Sequence, residues 1–249
     1  MRAERRHVRR HETLAAPRVR IAATLLAGLA ALTACGGVAI KPDPLLPKPL
    51  VQPLPATVGL ILPTELRNYL HKETRWGVEW RIDLGPGHVH LMQDVFKDAF
   101  RSVQEFKDLA AARAAPGIEA VFEPRIDQYS FVTGRDTRDR YYAATIRYRI
   151  TLYTPQGEKF DTLTLNGYGS ALAQGVSNGK PLERATLAAM RDAAAKFLVQ
   201  FPQLPAGAQL AKDQPLVVQA EASSADNAQI EAVPIEEKDP YAAGATRGS

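Results

Sequence analysis

The stretch Tyr141–Ser170, YYAATIRYRITLYTPQGEKFDTLTLNGYGS, decides the fold. Between Tyr142 and Leu152, apolar residues alternate with polar ones, which is the period-two pattern of a strand with one buried face. The segment Thr154–Gly157 (TPQG) has the composition of a β-turn, with proline at its second position. Phe160–Ser170 then returns as the second strand, so the stretch predicts an antiparallel hairpin.

Three further strands are predicted upstream of this hairpin. Thr57–Leu62 (TVGLIL) is an apolar run stopped by a proline, which is typical of a short buried strand. Trp76–Asp83 alternates, with Trp, Val, Trp and Ile on the face predicted to be buried. Ile118–Val132 also resembles a strand, although Pro124 requires an edge position or a bulge there.

Two helices complete the predicted fold. After the glycine-rich break Gly85–Gly87, apolar residues recur every three to four positions from Val89, which predicts a helix to about Ala114. A second helix is predicted from Pro181 to about Phe201, with a face of small alanine side chains that can lie close to a sheet. The order β-(β)-α-β-β-β-α predicts an α+β fold, with an antiparallel or mixed sheet of about four to five strands and two helices packed on one face.

Positive charge is concentrated at the amino terminus. The first 34 residues contain seven arginines and two glutamates, a net charge of +5, so the formal +4 of the 249-residue chain becomes −1 for residues 35–249. The pI of about 9.2 therefore comes from the leader and gives no support to nucleic-acid binding, and no nucleic-acid partner is predicted.

An uncharged run, Ile21–Ala34, follows the arginine-rich start. Its 14 residues are fewer than the roughly 20 that a membrane-spanning helix needs, and they fit the apolar region of a secretory signal. The run ends in Leu32-Thr33-Ala34-Cys35, which resembles the bacterial lipobox. The chain has one cysteine, which excludes an internal disulfide and a CxxC motif.

This resemblance implies a lipid anchor at Cys35. In lipoproteins of this kind, the signal is cleaved before the cysteine, whose sulfur carries diacylglycerol and whose amine carries a further acyl chain, palmitate being typical. Two or three acyl chains make release from a bilayer negligible. Gly36 stands where members retained at the inner membrane often carry aspartate, which favours the periplasmic face of the outer membrane.

The sequence predicts four segments. Residues 1–34 are the lipoprotein signal peptide, and residues 35–55 are the lipidated cysteine followed by a tether. Six of the sixteen residues from 41 to 56 are proline, which favours an extended stalk. Residues 56–204 form the α+β domain, and residues 205–249, with only isolated apolar residues, form a disordered tail.

Together, the lipobox and the order of elements resemble small bacterial periplasmic lipoproteins that are accessory parts of envelope export or lipid-transport machines. The resemblance covers Thr57–Phe201 and is architectural. It implies a non-catalytic accessory or scaffold protein with membrane lipid and an envelope protein as partners. The alternative is a carrier or sensor that binds a small amphiphile between helices and sheet, lined by Phe96, Phe100, Val103 and Phe106.

Motifs for catalysis are weak in this sequence. It has no HExxH, and its one GxSxG (Gly175–Gly179) overlaps its one SxxK (Ser177–Lys180) without the SDN, KTG or HGGG-type motifs that accompany these patterns in enzymes. No catalytic residue and no cofactor other than the covalent lipid is therefore predicted. His88 and His90 are two residues apart, whereas helical metal ligands are three or four apart, so no metal site is predicted. An enzymatic function would depend on these two histidines holding a metal.

Candidate binding residues lie around the central hairpin. The segment from 135 to 140 (RDTRDR) is a charge-dense turn. Such a turn can be simply solvated, or its arginines can contact a partner or lipid phosphates. On the next strand, Tyr141 and Tyr153 lie an even number of residues from Arg147 and Arg149, so all four side chains are predicted on its polar face. Arginine and aromatic side chains together are enriched in interfaces, although a solvated sheet face has the same pattern. The predicted partner-binding residues are Arg135, Arg138, Arg140, Tyr141, Arg147, Arg149 and Tyr153.

Overall fold

The computed structural model describes residues 37–173 and 179–218, and the backbone of residues 229–230. The predicted signal peptide and Cys35 lie outside the described residues, as does most of the predicted tail. The strands are β1 (Val38–Ile40), β2 (Leu54–Ile61), β3 (Leu70–Arg75), β4 (Val78–Asp83), β5 (Phe100–Phe106), β6 (Ala120–Val132), β7 (Tyr141–Tyr153), β8 (Lys159–Leu172) and β9 (Gln229–Ile230). The α-helices are α1 (Thr64–Arg67), α2 (Gly85–Ala99), α3 (Leu109–Ala114), α4 (Gly179–Gln200) and α5 (Pro205–Leu210).

The larger sheet has the strand order β5-β2-β6-β7-β8-β9, with five long strands and the two-residue β9. Strand β2 is parallel to both of its neighbours, whereas β6, β7 and β8 form an antiparallel meander. The predicted turn at Thr154–Gly157 is confirmed, because the amide of Gly157 donates to the carbonyl oxygen of Thr154 at 2.9 Å. The fold is therefore α+β with a mixed sheet, as predicted.

A second sheet of three strands, in the order β1-β4-β3, packs on the larger one. The ring of Trp80 on β4 lies 5.3 Å from that of Phe131 on β6, and the ring of His71 on β3 lies 5.1 Å from that of Tyr129. Because these partners face the inner side of β6, the small sheet covers the end of the inner face that the two long helices leave open.

Helices α2 and α4 cover the rest of the inner face, as the sequence predicts. Their contact with the sheet is a cluster of phenylalanine rings whose centroids lie 5.0–5.8 Å apart. Such contacts add to the stabilisation that comes from burying apolar area. The rings belong to Phe96, Phe100, Phe122, Phe197 and Phe201.

Helix α4 lies very close to β8 because two glycines remove the side chains between them. A Cβ on Gly169 would overlap the carbonyl oxygen of Ala185 and the amide nitrogen of Ala189, and a Cβ on Gly167 would overlap the same helix one turn later. The predicted small-residue face of α4 is confirmed, since Ala185, Ala189 and Ala193 are buried.

The first predicted helix ends earlier than the apolar spacing indicates. Helix α2 stops at Ala99, and Phe100 adopts an extended conformation (φ −132°, ψ 150°) at the start of β5. The predicted helix to Ala114 is therefore wrong, because β5 pairs in parallel with β2 and the chain becomes helical again only at Leu109. Phe100 and Val103 pack in the main core, whereas Phe106 packs in a second cluster, so the three residues do not form one helix face.

The proline-rich segment packs on the domain instead of forming a free stalk. Strand β1 pairs with β4 before the first proline, and Ile40 enters the core. Pro42 and Pro44 are buried, and a Cβ on Gly87 would overlap the carbonyl oxygen of Pro42. The prediction of an extended tether is wrong for residues 38–55, since proline composition indicates an extended backbone but not what that backbone contacts.

The folded part also continues past residue 204. Pro205–Leu210 is helical, and Leu210 and Leu216 are fully buried in the core. The amide of Leu216 donates to the carbonyl oxygen of Glu119 at 2.8 Å. The prediction of disorder is therefore wrong for residues 205–218, where single leucines each fill a place in the core without making a periodic pattern.

Among the helices of the described residues, none combines the length and the apolar character needed to cross a bilayer.

We predict that Gly169→Ala destabilises the domain. The added methyl group meets backbone atoms of α4 that cannot rotate away, so we expect the free energy of unfolding to fall by roughly 1–3 kcal/mol. Urea denaturation followed by circular dichroism measures the loss. Ser170→Ala, at the exposed neighbouring position, is the matched control and should change stability by less than about 0.5 kcal/mol. Equal stability of the two variants would contradict the close contact between α4 and β8.

Candidate functional site

The seven predicted binding residues fall into two groups along β7. One group lies in and beside the connection from β6 to β7, and the other lies further along the strand. Tyr141 and Tyr153 are twelve residues apart, which is about 40 Å at the rise of an antiparallel strand. The first group is Arg135, Arg138, Arg140 and Tyr141, and the second is Arg147, Arg149 and Tyr153.

The second group lies on the outer face, which we define as the side of β6, β7 and β8 opposite the long helices. The guanidinium of Arg149 pairs with Asp127 at 2.9 Å, and the hydroxyl of Tyr153 donates to Glu123 at 3.0 Å. Among the described residues, Arg147 is exposed and has neither a hydrogen-bond nor an ion-pair partner. Much of the charge on this face is therefore neutralised by neighbouring strands, whereas Arg147 is free.

An open hollow of about 570 Å³ lies beside these residues on the outer face. Cationic, acidic and hydroxyl side chains line it, which suits a polar contact better than an apolar ligand. Its lining is Glu123, Arg125, Arg149, Thr151, Tyr153, Lys159, Thr162 and Thr164.

The first group belongs to what we call the turn cluster, residues 75–77 and 133–141. It joins the turn between β3 and β4 to the connection between β6 and β7, and Asp136 holds the two together. One carboxylate oxygen of Asp136 accepts from the indole nitrogen of Trp76 at 2.9 Å, and the other accepts from Arg75 at 3.1 Å. The backbone N–H and the hydroxyl of Thr133 also donate to it, at 2.7 and 2.8 Å.

These hydrogen bonds keep Asp136 ionised. Burial alone would raise its pKa, but the donors from Thr133, Trp76 and Arg75 outweigh burial and bring the pKa to about 2. The carboxylate is therefore charged across the physiological range and fixes the positions of the side chains around it.

Other polar and aromatic groups of the turn cluster are left available. Arg135 donates to the carbonyl oxygen of Trp76 at 3.3 Å and Arg140 to that of Thr137 at 3.2 Å. Within residues 37–173 and 179–218, no acidic side chain forms an ion pair with Arg135, Arg138 or Arg140. The side chain of Trp76 is 59% exposed, and that of Tyr141 is 38% exposed.

Trp76 is the residue that the sequence pattern places wrongly. Alternation with Trp80 predicts a buried ring, but Trp76 lies in the turn with a positive φ of 54°, and only Trp80 and Ile82 are buried in β4. The following Gly77, with φ 74°, was the available sign of a turn. Nothing in the sequence indicates that Asp136 would bond to Trp76, 60 residues earlier in the chain.

The two histidines considered for metal binding are directed to different surroundings. His88 is fully buried, where its Nδ1–H donates to the carbonyl oxygen of Leu84 at 2.7 Å and its Nε2 accepts from the hydroxyl of Tyr148 at 2.7 Å. His90 is exposed and lies 2.9 Å from Asp43. The structure does not bring the two rings together, and the described residues contain no group of metal-ligating side chains.

The space between the long helices and the sheet is nearly filled. Its cavity has a volume of about 10 Å³, which is room for one water molecule at most. Phe96 and Phe100, predicted to line an amphiphile pocket, are buried in the ring cluster, and Phe106 packs in a separate cluster with Ile61 and Val121. A carrier function would therefore require this core to open.

Comparison with known proteins gives structural matches only. No family model and no curated protein matches the sequence. A Xanthomonas campestris protein described as DUF330 is 10% identical, with a TM-score of 0.40 over 65% of this chain and 93% of its own. A putative neuraminyllactose-binding hemagglutinin homologue from Helicobacter pylori is 9% identical, with a TM-score of 0.41 over 68% of this chain and 97% of its own. At such low values, neither match says what this chain binds.

We predict that His88 makes the fold sensitive to acid. Burial lowers the pKa of His88 to about 4, whereas an unfolded histidine titrates near 6.5, so below that pH the unfolded state binds a proton that the folded state excludes. This linkage alone should lower the free energy of unfolding by about 2 kcal/mol between about pH 7 and pH 5.

Urea denaturation at several pH values measures this effect. His88→Gln should reduce the decrease in stability toward low pH, even though it lowers stability at neutral pH. His90→Gln, at an exposed histidine, is the control: it leaves the buried bond between His88 and Tyr148 intact and should keep most of the decrease in stability toward low pH. If His88→Gln and the original chain have the same pH dependence, the buried neutral imidazole is not its source.

Proposed function

We propose that this chain is a lipid-anchored accessory protein of a bacterial cell envelope, held at the periplasmic face of the outer membrane. The observation that carries the proposal is the lipobox Leu32–Cys35, which ends an uncharged run at the single cysteine. Two or three acyl chains on that sulfur and its amine would hold the protein at the bilayer permanently. The arginine-rich start and Gly36 support export and the outer membrane.

A non-catalytic role is supported by how the strongly perturbed groups are used. His88 and Tyr148 bond to each other inside the core, and Asp136 is occupied by structural donors. Perturbed groups at an active site are instead expected in a cleft that a substrate can enter. The small cavity in the core likewise favours an accessory protein over a carrier.

We assign the contact with an envelope protein to the outer face. Arg147 offers a free guanidinium there, and the neighbouring hollow adds hydroxyl groups and a phenol. Side chains of these types are enriched at interfaces, where arginine binds carboxylates through two parallel hydrogen bonds.

The anchor is tested by Cys35→Ser. Because serine has no thiol to receive diacylglycerol, we expect an unprocessed precursor that no longer incorporates labelled palmitate. Gly36→Asp is the matched variant: it should be processed and labelled, but it should move to the inner-membrane fraction. Normal processing and labelling of Cys35→Ser would refute the anchor, and an unchanged location of Gly36→Asp would refute the assignment to the outer membrane.

The accessory role is tested by purifying the lipidated protein from its own membrane in mild detergent. Native mass spectrometry should find an envelope protein in stoichiometric amount, and Arg147→Glu should reduce its recovery several-fold by reversing the charge at the contact. Lys48→Glu, at an exposed side chain beside the long helices and therefore on the side opposite the outer face, should leave recovery unchanged. Recovery of a stoichiometric lipid without a protein would favour the carrier instead.

A further inference from the structure

We propose that the turn cluster is the surface on which the domain rests on the bilayer, with Trp76 at the level of the head groups and the free arginines on phospholipid phosphates. This inference deepens the proposed function and rests on the lipid anchor at Cys35. It differs from the sequence-based prediction in that no stalk holds the domain away from the membrane. Of the two contacts that the sequence leaves open for the arginines of this turn, a partner or lipid phosphates, it selects the phosphates.

Strand β1, at the start of the described chain, begins at the end of the domain that carries the turn cluster. Strand β1 runs parallel to β4, with Val38 beside Trp80 and Ile40 beside Ile82. Followed backwards from Val38, β1 therefore runs toward the start of β4, where the turn with Trp76 lies. The first residue of α4, Gly179, is also close to Val38, because a Cβ there would lie 3.4 Å from a methyl group of Val38.

The length of chain between the anchor and the fold limits how the domain can stand. Cys35 precedes Val38 by three residues, which span at most about 11 Å when extended. The opposite end of β7 lies about 40 Å from Tyr141, out of reach of so short a connection. The end of the domain that carries the turn cluster must therefore stay close to the bilayer.

The chemistry of the turn cluster fits a membrane surface. An exposed tryptophan is the side chain that prefers the boundary between head groups and acyl chains, and the bond to Asp136 holds the ring of Trp76 in place. Four arginines and two aspartates give the cluster a net charge of +2. The arginines at 135, 138 and 140 have no acidic partner among the described residues, so they are free to bind phosphate oxygens.

On the outer face, Arg147 is the one arginine without an acidic partner among the described residues, whereas the turn cluster has three, which is why we place lipid at the turn cluster and protein at the outer face. Arg149 and Arg125 are paired with Asp127 and Glu123. The outer face also has no exposed tryptophan in the described part of the chain, since Trp80 is only 3% exposed and lies in the small sheet.

Tryptophan fluorescence tests the proposal on the processed, lipidated protein in vesicles of phosphatidylethanolamine and phosphatidylglycerol. The chain has two tryptophans, and Trp80 is buried, so a brominated lipid at the bilayer surface should quench Trp76 selectively. We expect at least half of the emission contributed by Trp76 to be lost. Trp76→Phe should remove most of the quenching.

Two matched variants locate the contact. Changing arginines 135, 138 and 140 together to glutamine should reduce the quenching at least twofold, because each basic residue at an anionic surface contributes several-fold to binding. Arg147→Gln removes a free arginine from the outer face and should have no effect. Gln156→Trp, made in the Trp76→Phe background, places a reporter in the exposed turn at the far end of β7 and should not be quenched.

The outcomes separate this inference from the proposed function. If the protein floats with the vesicles but the brominated lipid quenches Trp76→Phe as strongly as the original chain, or quenches the Gln156→Trp reporter equally, the anchor stands and the docking surface is wrong. If the emission of Trp76 is unaffected by brominated lipid in pure vesicles, but is shielded from an aqueous quencher in native membranes, the turn cluster binds a protein and the proposal is overturned. Failure to float would overturn the anchor and the docking surface together.

Discussion

The close contact between α4 and β8 sets the positions of the other elements. Because Gly167 and Gly169 carry no side chains, the helix backbone lies almost on the strand, and the alanines of α4 fill the small space that remains. This close approach of α4 to the sheet brings the ring of Phe197 into contact with that of Phe96 on the other long helix. It also places the first residue of α4, Gly179, beside Val38 of β1. Helix α4 therefore contacts both the larger sheet and the first strand of the small sheet.

Regular alternation allowed much of this fold to be predicted from the sequence. The meander around Tyr142–Leu152 and the two long helices follow from their periods, because one face of each is buried. Strand β3 (LHKETR) could not be predicted, since it is largely polar and its pairing with β4 determines its structure. Strand β5 was missed for a related reason: its three-residue spacing fits a helix, and only β2 makes it a strand.

The candidate site was predictable in part. The parity of β7 correctly places Tyr141, Arg147 and Arg149 on one exposed face, because alternation is a local property. Which arginines are neutralised depends on carboxylates that lie elsewhere in the chain. Asp127 pairs with Arg149 and Asp136 pairs with Arg75, and neither pairing has a signature in the sequence.

Strand β1 also determines how the anchor proposed at Cys35 would transmit force to the fold. Its three residues run parallel to β4, so tension on the amino-terminal end loads their hydrogen bonds in shear instead of opening them one at a time. If the chain is anchored at Cys35 as proposed, only Gly36 and Gly37 separate the lipidated residue from β1. Proteolytic release of the domain into the periplasm would then require β1 to separate from β4 and expose Ile40, so the pairing of these three residues would protect the attachment.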